Sequence, residues 1–183
     1  MKKTLIAAGL ALALSLGAGE YKVDPAHSSV EFKVKHLLVS NVGGSFKNFD
    51  GKIDLDPKSK KINFLEGEIN IGSINTENQK RDDHLRSPDF FDAQKNPKGH
   101  FKMTQQDGDK IYGILTLNGV SKEVEFGIDI SDAIIHPKTK KNIVGLELEG
   151  EIKRKDFGIG ANTPDSIVSD KVKISINLEL IAQ

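Results

Sequence analysis

Residues 171–180 read KVKISINLEL, in which polar and apolar residues alternate along the whole stretch. A period of two is typical of a β-strand with one face on an apolar interior and the other in water. The same alternation recurs in residues 29–36 (SVEFKVKH), 123–130 (EVEFGIDI) and 144–153 (VGLELEGEIK). Such a chain is expected to wrap an antiparallel sheet around an apolar interior. That interior is either packed solid or left open for a ligand.

The first residues predict an export signal. Lys2 and Lys3 give a basic start, residues 5–16 are apolar, and residues 17–19 (GAG) form a small-residue exit. This order is that of a secretory signal peptide, and the apolar part is short for a membrane span. We therefore expect a signal peptide over residues 1–19 and a mature exported domain over residues 20–183, with no integral membrane segment. An uncleaved anchor is the alternative.

Composition narrows the class of protein. Without Lys2 and Lys3 the chain has 24 basic and 26 acidic residues, and the charges are interspersed along the strands. This pattern predicts no nucleic-acid or membrane-surface patch. The chain has no cysteine, which excludes disulfides and thiol catalysis. The mature length suits one domain.

Turn signals divide the chain into eight or nine strands. The predicted strands are residues 20–24, 28–39, 45–56, 61–73, 99–105, 110–118, 122–131, 142–153 and 171–182. Gly, Asn, Asp and Pro punctuate them at residues 56–57, 106–109, 118–119 and 136–138, as expected of hairpins. The fold class is therefore all-β, an antiparallel barrel or sandwich. Inward glycines at Gly51, Gly67 and Gly150 are compatible with a cavity.

A helical insertion is predicted at about residues 76–92. Thr76 and Gln79 have the spacing of a capping box, with a helix over residues 78–86 that ends at Ser87-Pro88. Leu85, Phe90 and Phe91 then either form part of a lid over one end of the barrel or simply close the core there.

The polar cluster in this insertion gives no clear chemistry. Asp83 and His84 are adjacent, so they point about 100° apart on a helix and make a poor metal site. No Gly-x-Ser-x-Gly turn is present. We therefore expect no metal, no cofactor and no catalytic residues.

Two polar residues continue inward-facing series. His36 follows the inward residues of residues 30–34, and Arg154 follows Ile152. A polar group on an apolar face needs a partner. Each residue is therefore either hydrogen-bonded structurally near the rim or faces a ligand head group.

Several segments together resemble the YceI-like family of bacterial periplasmic proteins. They are residues 24–28 (DPAHS), 32–36 (FKVKH), 44–51 (GSFKNFDG), 81–85 (RDDHL), 89–91 (DFF), 115–120 (LTLNGV) and 154–158 (RKDFG). The resemblance covers about residues 20–182. It implies an extended lipocalin-like barrel of about eight strands whose pore holds a long-chain isoprenoid or fatty-acid-like lipid. It also implies a non-enzymatic, homodimeric protein.

The resemblance also implies site residues. The apolar pore lining maps onto Val30, Phe32, Val34, Phe49, Ile53, Leu65, Ile69, Phe90, Leu115, Phe126, Leu146, Leu148 and Ile176. The polar positions expected near the pore are His36, Arg81, His84 and Arg154. Arg81, Asp82 and His84 could instead be conformational supports for the helix.

Three functional hypotheses remain open on sequence alone. The first is a lipid carrier. The second is an enzyme on a lipid or quinone-type substrate, with a rim His or Arg as acid or base, for example where His84 meets Asp83 inside the pore. The third is a packed structural domain.

Overall fold

The computed structural model describes residues 19–183, in which twelve strands and one short α-helix are present. The predicted signal peptide lies outside the described residues, except for Gly19, which begins β1. The strands are β1 (Gly19–Val23), β2 (Ser29–His36), β3 (Ser40–Phe46), β4 (Phe49–Asp56), β5 (Lys61–Asn70), β6 (Ile74–Asn75), β7 (Lys98–Asp107), β8 (Lys110–Leu117), β9 (Val120–Ile130), β10 (Ile134–Ile135), β11 (Asn142–Lys153) and β12 (Val168–Ala182). The helix α1 is Gln79–Arg86, and 3₁₀ helices cover Ile71–Ser73 and Arg154–Phe157.

Eight of these strands close an antiparallel barrel. Their order around it is β12-β1-β4-β5-β7-β8-β9-β11, and β11 pairs again with β12. The closing ladder runs from Ile143 opposite Ile181 to Lys153 opposite Lys171. The all-β antiparallel fold predicted from the alternating stretches is therefore confirmed, and of the two alternatives, barrel and sandwich, the structure has the barrel that the family resemblance implied.

The remaining long strands extend the barrel wall. One edge of β12 pairs with β1 at residues 180–182 and with β2 at residues 168–177. β2 then forms a hairpin with β3, and β3 pairs with β6. The predicted unbroken strands 28–39 and 45–56 are wrong here, because the chain reverses at Leu37-Leu38 and again at residues 47–48. Leucine is not a typical turn residue, so the first reversal was not predictable from the residue types.

The predicted turns with glycine behave as expected. Asn118 and Gly119 have positive φ angles of 49° and 74°, and they join β8 to β9 where Leu117 pairs with Val120. Positive φ at both central residues defines the type I′ turn that suits a twisted hairpin. Gly108 likewise has positive φ between β7 and β8.

The barrel interior is packed solid in one half only. Five side chains in that half have no solvent exposure: Leu55, Ile111, Val144, Leu146 and Leu180. A second apolar cluster lies at the other end, where Phe46, Phe157 and Ile159 pack with Phe90 of the helical insertion. The period-two pattern alone could not separate these two regions.

The helical insertion is present, but its cap differs from the prediction. The N-cap is Asn78, whose side chain accepts a hydrogen bond from the Arg81 backbone N–H at 3.0 Å. Thr76 lies before the helix and bonds to Asp82 instead. The predicted Thr76–Gln79 capping box is therefore wrong, because the carboxylate of Asp82 takes the hydroxyl of Thr76.

Candidate ligand cavity

The unfilled half of the barrel contains a cavity of about 190 Å³ with almost wholly apolar walls. It extends from the packed interior near Ile53 and Leu148 to the end closed by Phe90 and Ile159. A dry engineered cavity of ~150 Å³ lined by Leu, Ile and Phe is large enough to bind benzene. This cavity therefore exceeds what a packed core tolerates without a function or a loss of stability.

Most of the predicted pore residues line this cavity. They are Val30, Phe32, Val34, Phe49, Ile53, Leu65, Ile69, Phe90, Leu115, Phe126, Leu148, Arg154 and Ile176. Leu146 does not, because it lies one step further into the packed half and is fully buried there. His36, Arg81 and His84 also lie outside the lining.

Aromatic rings separate the cavity from the packed half. Phe101 and Phe126 meet edge to face, with ring centroids 5.4 Å apart. Each ring covers a glycine on a neighbouring strand, Phe101 on Gly113 and Phe126 on Gly150. Gly150, whose inward position was compatible with a cavity, thus makes room for a phenyl ring. Phe101 was missed, although its alternation with Gly99 and Met103 on β7 marks it as inward-facing.

The helical insertion closes the opposite end. Leu85, Phe90 and Phe91 all line the cavity, and Phe91 meets Phe46 edge to face at 6.1 Å. These three residues both complete the second apolar cluster and form an end wall. The two alternatives given by the sequence therefore describe the same packing.

On a further side of the cavity, two glycines leave part of the barrel wall without side chains. Gly51 of β4 and Gly67 of β5 are directly opposite in register, and both line the cavity. A Cβ at Gly67 would meet only the Asp50 carbonyl oxygen, at 3.8 Å. In the described residues, the β1–β4 ladder ends at Lys52, so residues 49–51 continue without a partner on that edge. The barrel wall therefore has a break beside the cavity.

Acidic residues lie around this break. Glu31, Asp50, Glu66 and Glu68 are among the cavity-lining residues, together with His100. The Nε2 atom of His100 lies 2.8 Å from a Glu66 carboxylate oxygen. Sequence reasoning missed this group, because outward positions on a strand are solvated by default.

Arg154 is buried and fully engaged by backbone. Its side chain is 3% exposed, and its three nitrogens donate to the carbonyl oxygens of Ser169, Ile159, Gly160, Thr163 and Val168. A further contact of 3.4 Å reaches an Asp165 carboxylate oxygen. These contacts hold residues 159–169 in place and favour the structural alternative for Arg154 over head-group binding.

Arg81 belongs to a second network of hydrogen bonds, formed with Thr76 and Asp82 and called here the polar lock. Its Nε donates to the Thr76 hydroxyl at 2.8 Å, and a terminal nitrogen donates to the Thr76 carbonyl at 2.8 Å. Thr76 in turn donates its hydroxyl to Asp82, which is 4% exposed, at 2.5 Å. This chain of bonds fixes the start of α1 and supports the reading of Arg81 and Asp82 as conformational supports.

The two remaining polar candidates are peripheral. The His84 side chain is 59% exposed, lies 3.4 Å from the Asp89 carboxylate and meets the Phe90 ring at 5.0 Å. His84 thus touches a cavity wall residue from outside. His36 ends β2, where it is half-buried opposite Ser40.

One further titratable cluster lies on the exterior. The Nδ1 atom of His27 is 2.9 Å from the Asp24 carboxylate and 3.8 Å from that of Glu179. The hydrogen bond that the Nδ1–H of His27 donates to Asp24, and then the charge of Glu179, raise the pKa of His27. The same bond lowers the pKa of Asp24. These contacts join the start of β2 to β12, and we interpret the cluster as a surface ion pair.

Together, the closed antiparallel barrel, the half-hollow interior and the apolar lining define a lipocalin-like barrel with an internal cavity. Residues 21–180 match the family model described as the YceI-like domain. Protein YceI of Salmonella newport is 37% identical over 193 residues, covering all of both chains. The chain belongs to the YceI-like family.

Solved structures share this fold. The Campylobacter jejuni YCEI protein is 38% identical with a TM-score of 0.76, over 81% of this chain and 90% of that one. BcnA of Burkholderia cenocepacia is 24% identical with a TM-score of 0.74, over 86% and 98%. A domain from Saccharophagus degradans, described as a polyisoprenoid binding domain, is 15% identical with a TM-score of 0.69, over 89% and 98%. The last two similarities concern the fold alone.

Proposed function

We propose that this chain is a periplasmic, non-enzymatic binding protein that carries a long-chain amphiphilic lipid, polyisoprenoid or fatty-acid-like, with its tail in the cavity. The observation that carries the proposal is the apolar cavity beside a break in the barrel wall. Export rests on the signal-like order of residues 1–19. Within residues 19–183, the structure contains no helix with the length and hydropathy of a membrane span.

Burial of the tail supplies the affinity. Each buried CH₂ contributes about 0.8 kcal/mol, and the ordering of a flexible tail offsets part of this gain. A cavity of about 190 Å³ holds several carbons, so the rest of a longer chain extends through the break beside β4. Affinity should therefore rise with tail length and tolerate changes in tail structure.

The polar surroundings give little head-group selectivity. Arg154 is the cationic side chain that lines the cavity most directly, and backbone carbonyls occupy all its nitrogens. Of the acidic residues near the break, Glu66 lies 2.8 Å from His100 and Glu68 is bridged by Lys98 at 2.7 Å, so these two carboxylates already have partners. We infer that the head group remains in water.

The comparisons support a lipid tail as the ligand class to test first. The Saccharophagus degradans domain of the same fold is described as polyisoprenoid binding. For this chain, freshly isolated protein would be denatured and extracted with organic solvent, and the extract examined by mass spectrometry. We expect a co-purifying amphiphile. Repeated isolation without one, together with no uptake of long-chain probes, would contradict the proposal.

The alternative of a lipid- or quinone-directed enzyme, as predicted from the sequence, requires that His84 and Asp83 meet inside the cavity. Asp83 instead pairs with Arg86 at 3.0 Å, and His84 faces Asp89 outside the lining. We therefore propose no reaction. His84→Ala should leave lipid uptake unchanged, and a turnover lost only in that variant would argue for the enzyme.

A homodimer remains a prediction from the family resemblance. In the described residues, β3 pairs with β6 only at residues 45 and 46, which leaves residues 40–44 as a free sheet edge. Such edges can pair between chains. Light scattering of the purified protein would give its mass in solution. A monomer at all concentrations would contradict the prediction.

A further inference from the structure

The hairpin between β2 and β3 exposes an apolar tip. Leu37, Leu38 and Val39 are 50%, 64% and 88% exposed, and Ile167 beside them is 41% exposed. The Leu37 N–H donates to the Ile167 carbonyl at 2.9 Å, so the four residues form one patch, called here the hairpin tip. Single exposed apolar residues are ordinary, but a contiguous patch marks an interaction site.

The backbone at the hairpin tip is unfavourable for its residues. Leu37 and Leu38 have positive φ angles of 51° and 58°, in a turn closed by the Val39 N–H and the His36 carbonyl at 3.1 Å. Such turns favour Asn and Gly, and this chain uses that pair at Asn118-Gly119. Leucine in this conformation opposes folding. The apolar side chains therefore serve something other than the turn.

The outer sheet face next to the hairpin tip is basic. Five exposed lysines lie on neighbouring strands there: Lys33, Lys35, Lys153, Lys171 and Lys173. Lys33 is directly opposite Lys173, and Lys153 is directly opposite Lys171. Like charges in these positions repel. Lysines that are interspersed along the sequence thus lie close together on this face.

Three acidic groups at this end are engaged by neighbouring groups, and Glu151 among them lies directly opposite Lys173. Glu151 bridges to Lys171 at 2.8 Å, and Asp165 pairs with Lys155 at 2.6 Å beside the patch. The Asp170 carboxylate accepts the Lys155 backbone N–H at 3.0 Å. One row further from the tip, Glu31 and Glu149 flank Ser175. The sheet face is therefore polarised, with its positive end at the hairpin tip.

We propose that this end of the protein docks on an anionic lipid bilayer. The side chains of the hairpin tip enter the interfacial region, and the lysines meet the lipid phosphates. Apolar insertion combined with a basic surface is the chemistry of reversible membrane-surface binding. The opposite face of β2 presents Phe32 and Val34 to the cavity. If the proposed lipid-carrier function holds, docking brings the cavity close to the membrane from which its lipid comes.

The test is flotation of the mature full-length domain with vesicles of equal parts phosphatidylglycerol and phosphatidylethanolamine, and with phosphatidylcholine vesicles. Leu37→Asn with Leu38→Gly removes two apolar side chains while giving the turn its favoured residues, so this variant should fold at least as well as the parent. We expect binding to the anionic vesicles only, and a loss of roughly tenfold or more in this variant. Lys33→Gln with Lys173→Gln should weaken binding by roughly tenfold and reduce its salt dependence.

The matched control is Ile134→Ser with Ile135→Ser. These residues are 62% and 55% exposed, and a lysine-containing loop follows them, but they lie at the opposite end of β11 from Lys153. The control should float like the parent. No preference for anionic vesicles, or binding lost in the control and kept in the hairpin variant, would overturn the proposal. The proposal would also be overturned if the parent were a dimer that binds no vesicles and that the hairpin substitutions convert to a monomer.

Uptake of a fluorescent long-chain fatty acid from solution separates this proposal from the proposed function. The hairpin variant should keep that uptake, because Leu37 and Leu38 do not line the cavity. Flotation without uptake by the parent would leave docking standing and remove the carrier function. Uptake without flotation would leave the carrier function standing and remove the docking proposal.

Discussion

Replacing Arg154 by methionine tests whether this residue supports the fold or binds a head group. Methionine keeps an unbranched apolar side chain in the same space but cannot donate hydrogen bonds. Five backbone carbonyls in residues 159–169 would lose the hydrogen bond from the guanidinium, and of these the Gly160 carbonyl also accepts a backbone N–H, that of Thr163. Those residues include Ile159 and Val168, which line the cavity.

The expected loss of stability follows from the number of orphaned acceptors. A buried acceptor without a partner costs about 1–3 kcal/mol. If loop relaxation lets water reach all but two of the five carbonyls, the free energy of unfolding falls by at least about 2 kcal/mol. For a domain of this size, that corresponds to a fall in Tm of at least about 4–8 °C.

Differential scanning calorimetry of the unliganded protein would measure the change. Lys155→Met is the matched control, because it removes a neighbouring cation whose partner, Asp165, is a surface group. Surface pairs contribute little, so the control should shift Tm far less. If Arg154→Met left Tm unchanged but weakened the binding of anionic amphiphiles, the structural reading would be refuted in favour of head-group binding.

Two other perturbations follow from the polar contacts. Asp82→Ala should lower the free energy of unfolding by about 2–3 kcal/mol, because Thr76 loses the acceptor for its N–H and its hydroxyl. Urea titration would measure this change, and an unchanged unfolding midpoint would contradict the proposed polar lock. The pKa of His27 lies above its usual 6.5 and that of Asp24 below its usual 3.8, so their pair stabilises fully between these values. The difference in free energy of unfolding between wild type and His27→Gln should therefore be greatest from about pH 4 to 6.5. It should fall at higher pH as His27 deprotonates and at lower pH as Asp24 protonates. A pH-independent difference would argue against the pair.

The alternating stretches were sufficient to predict the barrel strands. Strand β12 shows why, because its apolar residues line the cavity whereas Lys173 among them is exposed; the lining residues are Val172, Ile174, Ile176 and Leu178. Turns with Asn, Gly or Pro were also predictable. The reversal at Leu37-Leu38 was not, since its residues oppose the conformation they adopt.

The location of the cavity depended on information that periodicity lacks. Leu146 and Leu148 occupy equivalent positions on β11, yet only Leu148 reaches the cavity. The difference arises from the aromatic rings, chiefly Phe101 and Phe126, that fill the barrel interior at a given level along its axis. The hydrogen bonds of Arg154 were equally unpredictable from the sequence, because its partners are backbone carbonyls of an irregular loop.

The central claim is that the unfilled half of the barrel holds a lipid tail. Gly67→Leu places a side chain in that space, and Gly127→Leu is its matched control on the outer face. At both glycines a new Cβ would meet only a carbonyl oxygen, at 3.8 Å. Displacing about two CH₂ groups of a ligand corresponds to about a tenfold loss of affinity.

The deciding measurement is fluorescence titration of both variants and the wild type with a long-chain fatty acid probe. The account predicts that wild type and Gly127→Leu bind alike and that Gly67→Leu binds about tenfold more weakly or not at all. Equal affinity in all three folded proteins would show that the tail lies elsewhere and would contradict the account.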